Sequence, residues 1–331
     1  MEMTSTERVI ATGGANPVHG SVHWLPVKSL WISGMTLAAL MGGPLTFSWG
    51  ALAVFIFLCA ATICGGHSVG MHRLLIHRSF KTHIWIEHFL VYLGVLVGMA
   101  GPHGMIRLHD FRDWGQRQTA CHDFFAHRAG FWNDAWWQLH CGITLDRPPL
   151  FKLEPHIERD RFYRFVERTW MLQQIPLAVV LFALGGIGFV IWGICCRVSI
   201  SLIGHWLVGY FAHQPKEQVL HVEGGCVQGY NLPKLGIVTF GEAFHENHHA
   251  FPGSARLGIM PGQIDPGWFL VKALEALGWA KDINTPDNME FRKGLVLAEK
   301  PAAHGRRSAW LERLSRETRY SNAAGLVADA E

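Results

Sequence analysis

Charge is what this sequence has least of. Asp, Glu, Lys and Arg make up 17% of its 331 residues against 49% hydrophobic, and the mean hydropathy is +0.15. A soluble domain carries about a quarter charged residues, so an ordinary water-soluble globule is a poor match. No charged residue occurs from Ser29 to Gly66, and one, Arg197, occurs from Met171 to Pro215. Disulfide patterning is also missing. The seven cysteines (Cys59, Cys64, Cys121, Cys141, Cys195, Cys196, Cys226) are odd in number and include no C-x-x-C pair. This argues against a disulfide framework or a zinc ribbon and leaves reduced thiols as the expectation. The net charge of +3 is too mild to argue for a nucleic-acid partner, and no nucleic-acid motif accompanies it. Residues 1–28 hold Glu2, Glu7, Arg8 and Lys28 but no apolar run, so no cleaved leader is expected. No repeat of solenoid period occurs.

What is present follows from the two charge-poor stretches. A bilayer core needs roughly 20 residues of apolar helix, so the 38 residues from Ser29 to Gly66 make two spans, with Gly42-Gly43-Pro44 as the natural break. Met171–Pro215 makes two more, turning near Gly185-Gly186. The expected fold is all-α and integral to the membrane: four transmembrane helices in two hairpins over residues 29–281. A tail is expected at 1–28, and a polar tail at 282–331 with an amphipathic patch at Trp310, Leu311 and Leu314. Arg73, Arg78, Lys81, Arg107, Arg112, Arg117 and Arg128 follow the first hairpin, and Lys216, Lys234 and Arg256 follow the second. The positive-inside rule puts these segments and both termini in the cytoplasm.

The chain also holds 20 histidines. Many fall at or just beyond the expected cytoplasmic ends of spans: His72 and His77, His109, His205 and His213, and the run GEAFHENHHAFP with His245, His248 and His249. On a helix, positions 245, 248 and 249 share a face. Three imidazoles there repel when protonated and gain little from packing when neutral, whereas neutral imidazole is a common metal ligand. His72 and His77 are five apart, roughly 140° around an α-helix; on a straight helix they do not chelate one ion as a pair, but they could reach two ions, or one if the helix frays. Together His72, His77, His109, His213, His245, His248 and His249 are too many for one four-coordinate ion and imply two. Nitrogen ligands suit iron, copper, nickel or zinc.

These residues resemble a known family. GMHRLLIHRSFK (70–81) looks like the first histidine box, H-x4-H, of the membrane fatty acid desaturases of the acyl-CoA/acyl-lipid Δ9 type, and GEAFHENHHAFPGSAR (241–256) looks like the third. DPGWFLVKALEALG (265–278) resembles the stretch that follows it, and the likeness covers roughly 45–280. It implies a mushroom-shaped fold with a helical cytoplasmic cap, and a centre of two iron ions that uses O2 to break unactivated C–H bonds of a fatty acyl chain. That chain is carried by CoA, a carrier protein or a lipid. The electron donor is implied to be separate (a ferredoxin, rubredoxin or cytochrome b5-like protein), since no H-P-G-G haem segment or ferredoxin cysteine pattern occurs here. Two departures stand out. The family's second box, H-R-x-H-H, reads His109-Asp-Phe-Arg112-Asp113. Arg112 cannot bind a cation; Asp113 can, and is added to the expected ligands. The Asn of the fourth helix is replaced by Gly209 in WLVGYFAH. His67, His103, Asp110, His122, His127, His140 and His205 are candidates to complete the shell. An acyl-chain hydroxylase and a non-catalytic lipid- or metal-binding homologue are the other functions the resemblance allows.

Overall fold

In a computed structural model, residues 8–11, 13–298 and 309–317 are described. Helix α1 (Pro26–Leu45) starts on a proline at its first turn, where the missing N–H is no loss. Helix α2 (Trp49–Ile76) follows after a three-residue turn, and Ser48 caps it by accepting from Ala51 N. The expected break at Gly42-Gly43-Pro44 lies inside α1; the chain turns just after it, at 46–48, where Thr46 closes the helix onto the Gly42 and Gly43 carbonyls. The second apolar stretch, α6 (Gln174–Ala212), leaves helical geometry at Gly185 and Gly186, where the turn was expected.

By length and composition, α2 and α6 are each able to cross a membrane. Their outer faces, with that of α1, expose Leu37, Leu40, Leu45, Ile56, Phe57, Val179, Phe182 and Leu184. Such a belt would be unfavourable in water and suits lipid. Within it lies one charge, Arg197, fully buried. Its guanidinium donates to Leu96 O, Gly193 O and Gln174 Oε1, so backbone and amide acceptors satisfy it.

Between the two stretches come α3 (Ile84–Leu96), α4 (Pro102–Gln116) and α5 (Phe131–His140); after them come α7 (His245–Ala250) and α8 (Pro266–Ala276). Helices α2 and α3 touch backbone to backbone: a Cβ on Gly66 would fall 2.2 Å from Gly94 N, and one on Gly70 2.6 Å from Leu90 C. Small residues one turn apart permit this approach. The core beneath holds Met71, Leu75, Val91, Val95, Ile106, Tyr163 and Val166.

The segments expected as tails are built into this cap. Asn16–Trp24 pairs antiparallel with Cys141–Arg147, and Leu295–Leu297 with Leu220–Val222. Trp310 and Leu314 are buried against Phe251 and its neighbours. These apolar side chains gain more by covering the cap than by lying free. Residues 1–7, 12, 299–308 and 318–331 of the expected tails lie outside the described residues.

Arg8 is fully buried and ties the cap to the end of α2. It donates to the Leu75 and Ile76 carbonyls, to Asp110 Oδ2 at 3.2 Å and to Glu154 Oε1 at 2.7 Å. A cation on the last carbonyls of a helix also meets the negative end of its dipole. Removing it strands two buried carboxylates, which costs about 3–5 kcal/mol. Arg8→Met is therefore expected to lower the melting temperature in detergent by several degrees; an unchanged melt would show that the anchor contributes nothing.

Candidate metal centre

Helix α2 winds differently over its second half. From Ala60 to Ile76 its hydrogen bonds close onto the fifth residue back, and His77 N donates to His72 O at 3.0 Å. Such winding is rare beyond a single turn and is found at functional sites. It corrects the α-helical expectation for the first box. Residues five apart now share a face, and the rings of His72 and His77 lie 4.8 Å apart, centroid to centroid.

Helix α4 brings His109 to the same place, with its Nε2 3.2 Å from His77 Nε2. The short helix α7 supplies His248, whose ring is 4.6 Å from that of His72. One ring nitrogen from each of His72, His77, His109 and His248 lies within 4.8 Å of the others. His213, at the end of α6, meets His245 and His249 of α7 in a second cluster that satisfies the same limit. There Nε2 to Nε2 distances are 3.2 Å from His245 to His213 and 3.1 Å from His249 to His245. The third box thus divides between the clusters, His248 to one and His245 and His249 to the other.

Which nitrogen carries the proton decides what the clusters can bind. His109 Nδ1 donates to Asp110 Oδ1 at 3.2 Å, and His213 Nδ1 to Gly209 O at 2.6 Å. His72 Nδ1 lies 2.6 Å from Glu242 Oε2. Outer partners of this kind fix the tautomer of metal-ligating imidazoles. They leave the Nε2 lone pair of His109 facing His77 and that of His213 facing His245 and the Gln116 amide. A metal–nitrogen bond of about 2.0–2.1 Å puts ligand nitrogens on one ion about 3–4 Å apart, so the observed spacing fits a cation in each cluster.

Seven of the eight expected ligands are therefore brought together. Asp113 is the exception and joins neither cluster: its carboxylate turns to Arg117, a cation one helical turn away on the same face. Other candidates serve elsewhere. His103 Nε2 donates to Ile157 O, His122 caps its own short helix by accepting from Phe124 N, and His140 bonds Ser29 Oγ. His67 and His205 pair with each other, ring centroids 5.1 Å apart. Two contributors went unassigned in the sequence. Gln116 places its amide nitrogen 3.1 Å from His213 Nε2, and Glu242 backs His72. Both carried a signal: Gln116 lies seven residues after His109, on one helix face, and Glu242 is one of the two acidic residues of the third box, with Glu246.

Burial, and secondly the repulsion of neighbouring imidazoles, pushes His77, His213, His245, His248 and His249 well below the ordinary value of 6.5. Folding therefore keeps them neutral. An unfolded chain takes up protons as pH falls through 6.5 and the folded clusters do not, so stability is complete above 6.5 and lost below it. Chelator-treated protein is expected to melt at progressively lower temperature from pH 7.5 to pH 5.5. A flat profile would show that these imidazoles are protonated in the fold.

Comparison with known proteins places this geometry. Residues 47–256 match the family model for fatty acid desaturases. The sn-2 palmitoyl-lipid 9-desaturase of Nostoc sp. is 31% identical over 283 residues, covering 82% of this chain and 94% of its own. The sn-1 stearoyl-lipid 9-desaturase of Synechocystis sp. is 33% identical over 252 residues, 73% of this chain and 74% of its own. An acyl-CoA 5-desaturase of Anemone leveillei is 31% identical over 257 residues, 76% of this chain and 78% of its own. The family match spans both histidine clusters, and with these relatives it shows that the chain belongs to the fatty acid desaturase family of oxidoreductase enzymes.

Proposed function

We propose that this chain is a multi-pass membrane desaturase that uses O2 and two iron ions to place a double bond in a fatty acyl chain. The observation that carries the reading is the pair of imidazole clusters at the ends of α2 and α6, the two helices able to cross a membrane. One ion would be held by His72, His77, His109 and His248, the other by His213, His245 and His249. Bound iron would supply the oxidising power to break an unactivated C–H bond, which no protein side chain has.

The chain's own residues set the conditions. Asp110, Glu242 and the Gly209 carbonyl orient the imidazoles they bond, in a site that is buried to half-buried. The bends at 46–48 and at Gly185-Gly186 support four spans in two hairpins, with the clusters and both termini on the cytoplasmic side. The catalytic unit is residues 29–281, completed by strands from the flanking segments. Relatives named for acyl-lipid and acyl-CoA substrates support a fatty acyl chain in lipid, CoA or carrier-protein linkage. Electrons would come from a separate ferredoxin, rubredoxin or cytochrome b5-like protein, with the basic cytoplasmic face steering an acidic donor.

Expression in a host deleted for its own acyl desaturases tests this. Lipid analysis by gas chromatography and mass spectrometry is expected to show new unsaturated chains, lost to background in His248→Ala. Unchanged saturated lipids, or hydroxylated chains in their place, would refute desaturation.

A further inference from the structure

The two clusters differ in what surrounds them. In the first, a carboxylate lies against His72 (Glu242) and another against His109 (Asp110). In the second, among the described residues, the hydrogen bonds of His213, His245 and His249 go to each other, to the Gly209 carbonyl and to the Gln116 amide, never to a carboxylate.

The position that would be a histidine of the second box is Arg112. Its guanidinium donates through Nη1 to His127 Nε2, and through Nη2 to Gln138 Oε1 at 2.6 Å. His127 in turn donates from Nδ1 to Asp134 Oδ1 at 2.9 Å, and that carboxylate also accepts from Trp206 Nε1 at 2.8 Å. His127 and Asp134 are 2% and 0% exposed, so the chain Arg112–His127–Asp134 is a built interior feature. His127 stacks on His213 with ring centroids 5.2 Å apart and planes 11° from parallel. Gly209 makes this possible: a Cβ there would stand 3.2 Å from His127 Nε2. The glycine that departs from the family pattern and the arginine that departs from it therefore belong to one arrangement. Arg112 and Gln116, one turn apart on α4, share the face turned to His127 and His213. A second cation comes near on the other side, where Arg292 donates to the His249 carbonyl.

We infer that the clusters are metal sites of unequal strength: the four-histidine cluster holds its ion tightly, and the three-histidine cluster takes up its ion weakly and reversibly, because the Arg112–His127–Asp134 chain puts a cation where further ligands would stand. This rests on the reading of both clusters as metal sites. One ligand fewer and an added positive charge both disfavour a second cation. The His127 Nε2 lone pair is committed to Arg112 and is not offered to the ion.

Full-length protein in detergent micelles, stripped with chelator and titrated anaerobically with Co(II), tests the inference through absorption and calorimetry, with no turnover required. Two binding steps are expected, the second weaker by about 10–100-fold, the range by which changes around a metal ligand alter affinity. His77→Ala should abolish the tight step and His249→Ala the weak one. Arg112→Gln should strengthen the weak step about tenfold and leave the tight one alone. If that variant does not fold, Gln138→Leu, which cuts the other anchor of Arg112, should strengthen the same step. Two equal steps, or a weak step that neither variant moves, would overturn the inference and leave the two-metal reading standing. No cobalt bound at either cluster would overturn both.

Discussion

Seven imidazoles are held together in a buried to half-buried space, and the rest of the fold is arranged around that fact. Burying a polar ring without a partner is unfavourable. Here the Nδ1 sides of His72, His109 and His213 meet a carboxylate or a carbonyl, while the Nε2 lone pairs of His109 and His213 turn to other imidazoles. A cation shared by these lone pairs relieves that arrangement, and neutral imidazole is a common metal ligand. The helix ends that carry these residues need firm anchors. Arg8 grips the last carbonyls of α2, and Arg73, next to His72, bonds Asp265 at the start of α8 and the Phe240 carbonyl just before the third box. Both guanidiniums are buried.

Much of this was legible in the chain because it is written in local patterns. Two charge-poor runs gave the apolar helices, and the spacing of 245, 248 and 249 gave one face of a short helix. The turn at Gly185-Gly186 was readable because glycines release the backbone there. The turn after α1 was not, because Pro44 is accommodated in the last turn of a helix whose end is set by Thr46. Whether His72 and His77 share one ion stays open in the sequence for a clear reason: α-helical winding separates them, and a segment wound to the fifth residue brings them together. Periodicity analysis assumes a winding and does not discover one.

Contacts of long sequence separation were not readable. Nothing local to Asn16–Trp24 says that it pairs with Cys141–Arg147, or that Arg8 meets Glu154. Asp113 was a sound ligand by chemistry, yet Arg117 one turn away takes its carboxylate. The second box seemed merely broken, with Gly209 a second loss. In three dimensions the two changes meet at His127, which fills the room the glycine leaves and holds the arginine that replaced a histidine. Departures from a family pattern are better judged in pairs that touch than one position at a time.

The account stands on imidazole ligation at the ends of the long apolar helices, and X-ray absorption at the iron edge addresses that directly. Iron-loaded protein is predicted to show a nitrogen-rich coordination shell with the outer-shell scattering of several imidazole rings. A shell of oxygen neighbours lacking that imidazole signature would contradict it.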